Sequence, residues 1–259
     1  MCPPGVTINR ETLHAARNDT IAPDEVMSLM EYPFSSFFPT GAAFALLGPT
    51  HPGDLLREEA ALLPDTVTPE RLREFTLGRT CAHSVLAALG PQWARFPVLR
   101  QGERLPVWPA GVTGAIAHAG GWAVAVAGQT PPFLGLGVDL ERRRPVSERL
   151  WRRILRPEEQ QQAARLTGTD SRVMDFLLRF SVKESVFKAL YPRGGVYLGF
   201  QSATVQVPEG AWEQDQGELR WKLHQECGPD FPAGMEGVGG FQRRGEWVLA
   251  GVWVLSRPV

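Results

Sequence analysis

Two short clusters of charged residues define the chemistry open to this chain: Gly137-Val138-Asp139-Leu140-Glu141, and further along Phe180-Ser181-Val182-Lys183-Glu184-Ser185-Val186-Phe187-Lys188. Three carboxylates and two lysines are the side chains that a divalent cation and a pyrophosphate need together. Magnesium takes octahedral oxygen ligands and usually binds one or two carboxylates while keeping waters and substrate phosphates. A lysine ammonium adds a compact positive charge for phosphate oxygens. Each cluster also has an ordinary reading. Acids are common at strand ends, and a Glu and a Lys four apart on a helix often form only an exposed ion pair worth about 0.3–0.5 kcal/mol.

The elements that must hold these residues follow from the apolar pattern. Residues 134–140 are short, apolar and bounded by glycine, which predicts a buried strand ending near Glu141. Alternation puts Asp139 and Glu141 on the same side of it. Residues 172–190 carry apolar side chains at Val173, Phe176, Leu177, Phe180, Val186, Phe187 and Leu190, the spacing of a helix that buries one stripe. On it Glu184 and Lys188 are neighbours, with Lys183 beside them. Packing the strand end on this helix brings Asp139, Glu141 and Glu184 together. A third segment, 104–118, leads into an alternating strand from Trp122 to Ala127 and sets His118 at the end of a strand pair. The same reading predicts strands at 42–48, 112–118, 200–207, 218–224 and 246–255, and helices near 54–63, 68–89, 147–153, 157–166 and 170–190. A proline-containing lead of about 30 residues and a glycine-rich stretch at 234–240 carry no readable motif, and no sequence repeat is evident.

Composition removes several function classes. A chain of 259 residues with 43% hydrophobic content can bury a sizeable core, in one large domain or two modest ones. A net charge of -1 gives no electrostatic support to nucleic-acid binding. Cys2, Cys81 and Cys227 have neither metal-ligand spacing nor a disulfide framework, which points to a reducing compartment. The N-terminus has no apolar core for a signal peptide and no stretch reaches a membrane span, so the expectation is a cytoplasmic protein. Against this neutral whole stands a basic run, Arg142, Arg143, Arg144, Arg149, Arg152, Arg153 and Arg156. It is either a solvated surface or the docking edge of an acidic partner.

Taken in order, the segments resemble the 4'-phosphopantetheinyl transferase superfamily, in its larger Sfp-type class and within it the enterobactin synthase component D branch. The motif G-[IV]-D-x-E stands as GVDLE at 137–141, and [FW]-[SCA]-x-K-E-[SA]-x-x-K as FSVKESVFK at 180–188. The branch stretch R-x-P-x-W-P-x-G-x-x-G-S-[IL]-x-H appears as RLPVWPAGVTGAIAH at 104–118, and R-x-x-E-F-x-x-G-R-x-x-A as RLREFTLGRTCA at 71–82. Three positions depart from the pattern. Ala115 and Ala117 replace serines near the histidine, and His83 stands where arginine is frequent.

The resemblance implies an α+β fold, a pseudodimer of two similar α/β halves, each a small antiparallel sheet packed with helices. Residues 1–133 would supply coenzyme A nucleotide contacts and residues 134–259 the magnesium and catalytic residues. The implied reaction moves the phosphopantetheine arm of coenzyme A onto a serine of an apo acyl or peptidyl carrier protein and releases 3',5'-adenosine bisphosphate. Asp139, Glu141 and Glu184 would hold magnesium, with Glu184 also the base. Lys183 and Lys188 would hold pyrophosphate oxygens, and Asp139 would border them. Arg71, Arg79, Arg104 and His118 would bind coenzyme A phosphates. The residue types agree, since phosphoryl transfer asks for positioning and charge neutralisation rather than a protein nucleophile. Siderophore or secondary-metabolite carriers are the expected partners, and one chain holding both halves is expected to work as a monomer. A catalytically silent coenzyme A-binding relative and a magnesium-dependent pyrophosphohydrolase remain the alternatives.

Overall fold

A strand, a long helix and then a hairpin whose second strand pairs with the first strand occur twice in the computed structural model, which describes residues 37–102 and 105–256. The first run is β1 (Ala42–Leu47), α1 (Arg57–Ala60), α2 (Pro69–Leu89), a short pair β2 (Leu99–Gln101) and β3 (Leu105–Val107), and the hairpin β4 (Val112–Ala119) and β5 (Trp122–Gln129). The second is β6 (Phe133–Arg142), α3 (Glu148–Ile154), α4 (Pro157–Ala164), α5 (Thr169–Gly194), β7 (Ala203–Gln206), β8 (Gln216–Leu223), and the hairpin β9 (Glu236–Arg244) and β10 (Trp247–Leu255). The sheets run β1-β5-β4 and β6-β10-β9-β8-β7, so the second adds two strands at the outer edge of the same three-strand frame. Both are antiparallel throughout. The α+β expectation holds.

Local sequence explains the helix ends. Thr68 caps α2 by accepting from Arg71 N at 3.2 Å, and Pro69 occupies the first turn, where its missing N–H costs nothing. Gly195 closes α5 at φ 72° and donates its N–H to Tyr191 O at 2.9 Å, a left-handed turn that glycine takes without strain.

The alternation of β6 decides where the chemistry lies. Leu136, Val138 and Leu140 join Ala115, Ala117, Val124 and Val126 in a core shared by the two runs. The opposite face presents Gly135, Gly137 and Asp139 to α5. A Cβ at Gly135 or Gly137 would collide with the α5 carbonyls of Ala189 and Ser185, so these glycines let the helix backbone come within reach of the strand. Trp122 and Trp247, which open the return strands of the two hairpins, meet edge-on across the shared core with ring centroids 6.4 Å apart.

Three elements differ from the sequence reading. The glycine-rich stretch falls in β9, an interior strand between β8 and β10. Glycine erases the alternating pattern there because aromatic rings fill the space: a Cβ at Gly240 would fall 2.5 Å from Phe37, and one at Gly237 would meet Trp221. The helix expected over 54–63 shortens to α1. The strand expected over 200–207 begins with a 3-10 turn at Phe200–Ser202. Residues 1–36 of the proline-containing lead, and Arg104, lie outside the described residues.

Candidate active site

The closeness of α5 to β6 shows in the bonds between them. Lys188 Nζ donates to Val138 O at 3.1 Å and to Asp139 Oδ1 at 2.7 Å, while Ser181 Oγ donates to Asp139 Oδ2 at 3.0 Å. Asp139 is buried and Lys188 half-buried, so this pair works at lower dielectric than a surface ion pair. Glu141, two residues along the same face, carries a carboxyl pushed up to about 7. Burial is the main cause, the negative charges of Asp139 and Glu184 add to it, and Arg144 and Lys188 oppose it. The three acids expected together therefore share one electrostatic neighbourhood, and Glu184 sits half-buried within it.

The first run contributes from the other side. Arg71 Nη1 lies 3.2 Å from His118 Nε2, and Glu74 Oε1 lies 3.4 Å from His118 Nδ1. Arginine only donates, so His118 accepts at Nε2 and carries its proton on Nδ1 toward Glu74. The side chain of His118 keeps 35% exposure, yet burial of its ring among neighbouring elements lowers its pKa. Glu74 opposes that shift, and Arg71 and then Lys188 reinforce it. Lys188 from α5 and His118 from β4 thus feel each other across the junction. Glu74 is the residue the sequence reading quoted within a motif but assigned no work.

Two of the expected basic residues are buried. Lys183 is buried, and its ammonium donates to Glu159 Oε2 at 2.6 Å, Ile154 O at 2.9 Å and Phe200 O at 3.0 Å. All three of its protons are taken, so the pyrophosphate contact expected of Lys183 gives way to a structural one. Arg79 is also buried, with its guanidinium 4.5 Å from the centre of the Phe75 ring and Nη2 3.5 Å from Leu99 O. Its Nε has no partner among the described residues. Burial pulls the Arg79 pKa down to about 10, with Glu59 opposing and Arg100 and Arg71 adding.

Two family models match the chain in succession: the 4'-phosphopantetheinyl transferase N-terminal domain over residues 58–128, and the 4'-phosphopantetheinyl transferase superfamily over residues 135–234. The 4'-phosphopantetheinyl transferase Svp of Streptomyces mobaraensis is 34% identical over 163 residues, which is 63% of this chain and 65% of that one. The 4'-phosphopantetheinyl transferase PptT of Mycobacterium tuberculosis is 32% identical over 159 residues, 61% of this chain and 68% of that one. The chain belongs to the 4'-phosphopantetheinyl transferase superfamily. Within this superfamily it is also 39% identical to enterobactin synthase component D of Escherichia coli over 123 residues, 46% of this chain and 55% of that one. The alignment spans just under two thirds of the length of Svp.

The superfamily reading puts a cation among the acids, and the residues fit one bound jointly with a substrate. Among the described residues no three His, Cys, Asp or Glu form a closed cage. Magnesium does not need one, since it commonly takes one or two carboxylates and fills the octahedron with water and phosphate. Burial is the main reason the Glu141 carboxyl is raised, and the charges of Asp139 and Glu184 add a smaller part that a cation would relieve. No helix among the described residues is long and apolar enough to cross a membrane.

Proposed function

We propose that this chain transfers the 4'-phosphopantetheine arm of coenzyme A to a serine of an apo carrier protein. Lys188 carries the reading: it is an ammonium held on Asp139, in the electrostatic reach of both Glu141 and His118. Coenzyme A would lie across the junction, with Arg71, Arg79 and His118 on its phosphates and Lys188 on the pyrophosphate. The serine Oγ attacks the phosphorus bearing the pantetheine arm, the bond to the bridging oxygen breaks, and 3',5'-adenosine bisphosphate leaves. Glu184 takes the serine proton, directly or through a water. Lys188 neutralises charge on the departing phosphate. Asp139, Glu141 and Glu184 would hold magnesium, which polarises the pyrophosphate when bound.

A boundary near residue 133 separates the two runs in this reading, and one chain supplies both sides of the site, which supports a monomer. Free, buried thiols at Cys81 and Cys227 support a reducing, cytoplasmic setting. Siderophore or secondary-metabolite carriers are the expected acceptors. Of the basic run, Arg142, Arg143, Arg152 and Arg156 already pair with Glu246, Asp170, Glu148 and Glu158. Arg149 and Arg153 have no carboxylate partner among the described residues and are exposed, which makes them the favoured contacts for an acidic carrier.

The test is to incubate the protein with coenzyme A, magnesium and apo carrier domains and to weigh the carrier. A gain of one phosphopantetheine supports transfer. Release of free phosphopantetheine with no carrier gain selects the pyrophosphohydrolase, and neither product across several carriers selects a silent binding protein.

A further inference from the structure

Among the described residues each run buries one glutamate completely, and the two are used alike. Glu159 accepts from the backbone N–H of Arg156 at 2.8 Å, from Val205 N at 2.7 Å and from Lys183 on α5 at 2.6 Å. Glu59 accepts from Leu56 N at 3.1 Å, from Val98 N at 2.8 Å and from His83 Nε2 on α2 at 2.9 Å. In both, one carboxylate ties the start of a short helix, the chain that follows the long helix, and the long helix itself. An arginine stands one turn before that helix donor in each case, Arg179 before Lys183 and Arg79 before His83.

The arginines differ in how they are satisfied. Arg179 meets Asp175 through Nε at 2.9 Å and Nη2 at 3.1 Å, Gln162 Oε1 at 3.1 Å, and the Val205 carbonyl, so it is consumed within the fold. Arg79 has Phe75 where Arg179 has Asp175, one long contact to Leu99 O, and a buried Nε without a partner. A buried donor left unmade costs about 1–3 kcal/mol. The first run therefore keeps a buried cation with a donor still open to an acceptor, which a phosphate oxygen could fill. Leu99, which offers its carbonyl to Arg79, directly follows Val98, whose N–H is fastened by Glu59.

We propose that Glu59 is a positioning residue for the ligand phosphate, acting through Arg79: it clamps the backbone and helix around the guanidinium and leaves the unpartnered Nε–H for a phosphate oxygen. His83 is the helix side of that clamp. The inference rests on the reading that Arg79 meets a coenzyme A phosphate.

A double-mutant cycle on the intact protein tests it, with coenzyme A affinity measured by titration calorimetry for wild type, Glu59→Gln, Arg79→Met and the double variant. Glu59→Gln alone should weaken binding about tenfold, as loss of a supporting partner does elsewhere. On top of Arg79→Met it should add less than about twofold, because its effect runs through that guanidinium. In Glu59→Gln the turnover number at saturating coenzyme A and the KM for carrier should hold. Unchanged affinity in Glu59→Gln overturns the proposal, and so does a full further loss in the Arg79→Met background. Should Glu59→Gln fail to fold by circular dichroism, His83→Leu takes its place in the same cycle, with about a threefold loss expected and the same non-additivity required. Glu159→Gln is the control: it should lower Tm and leave the affinity of the folded protein alone. Wild type that binds coenzyme A but modifies no carrier would end the transfer reading and leave this cycle readable. Wild type that does not bind coenzyme A overturns the positioning role as well.

Discussion

Where β6 carries Asp139 opposite Ala250, the matching strand of the first run carries Ala45 opposite Ala125. Where α5 has Lys188 five residues beyond the lysine on its buried glutamate, α2 has Ala88 five beyond His83. The converse also holds. His118 in β4 corresponds by hairpin register to Arg243 in β9, which spends its guanidinium on the carbonyls of Trp212 and Glu213. The frame repeats and the chemistry does not. Identical halves would build two copies of a junction site, whereas here one side holds acids with a lysine and the other holds arginine with histidine. In the proposed reading the chain has the residues for one composite site, to which each side contributes a part.

The largest expected effect comes from removing the base. Glu184→Gln should lower the turnover number about 1,000-fold, within the range for positioned general bases, with Tm little changed. Retained turnover would reduce Glu184 to a ligand at most. Next, the two lysines of one motif should separate cleanly. Lys183→Met leaves Glu159 buried and short of its cation, costing about 3–5 kcal/mol in chemical denaturation, with activity per folded molecule retained. Lys188→Met should do the reverse, losing turnover while the denaturation midpoint stays close to wild type. Equal effects of the two would erase the distinction between a frame lysine and a site lysine.

That distinction marks the limit of what the sequence could show. Asp139, Glu184 and Lys188 were legible because strand alternation and helical spacing place them without knowledge of the rest. Lys183 was not, since five residues along a helix turn it about 140° from Lys188, toward the interior rather than the site. Glu59 and Glu159 carry no sequence signal at all. The residues before their helices are Leu56 and Arg156, not the Ser or Thr of a capping box, and their other partners come from distant chain. Strand β9 was hidden because its glycines make room for rings contributed by Phe37 and Trp221.

A pH experiment sharpens the acid side of the comparison. The folded pKa of Glu141 is raised from 4.5 to about 7, so folding favours its protonated form. The stability it contributes is fully present below pH 4.5 and is lost as pH rises through about 7. Metal binding has the opposite demand, because the carboxyl must lose its proton. Magnesium affinity should weaken roughly tenfold per pH unit below 7, and Glu141→Gln should flatten that slope. A slope unaltered in Glu141→Gln would assign the proton to another group. The smallest effect belongs to the surface: reversing Arg149 and Arg153 to Glu should raise the KM for carrier about three- to tenfold and leave that for coenzyme A unchanged. The same reversal at Arg143 and Arg152, which already have carboxylate partners, should matter less.

The edge-on pair of Trp122 and Trp247 supplies an optical gauge of the junction. One indole comes from each run, both are nearly fully buried, and at 6.4 Å their transitions couple strongly enough to leave an exciton signature in circular dichroism. Loss of that signal ahead of the helical signal during denaturation would mean that the two runs part before either unfolds. Simultaneous loss would mean that the composite site and its two supports melt as one cooperative unit.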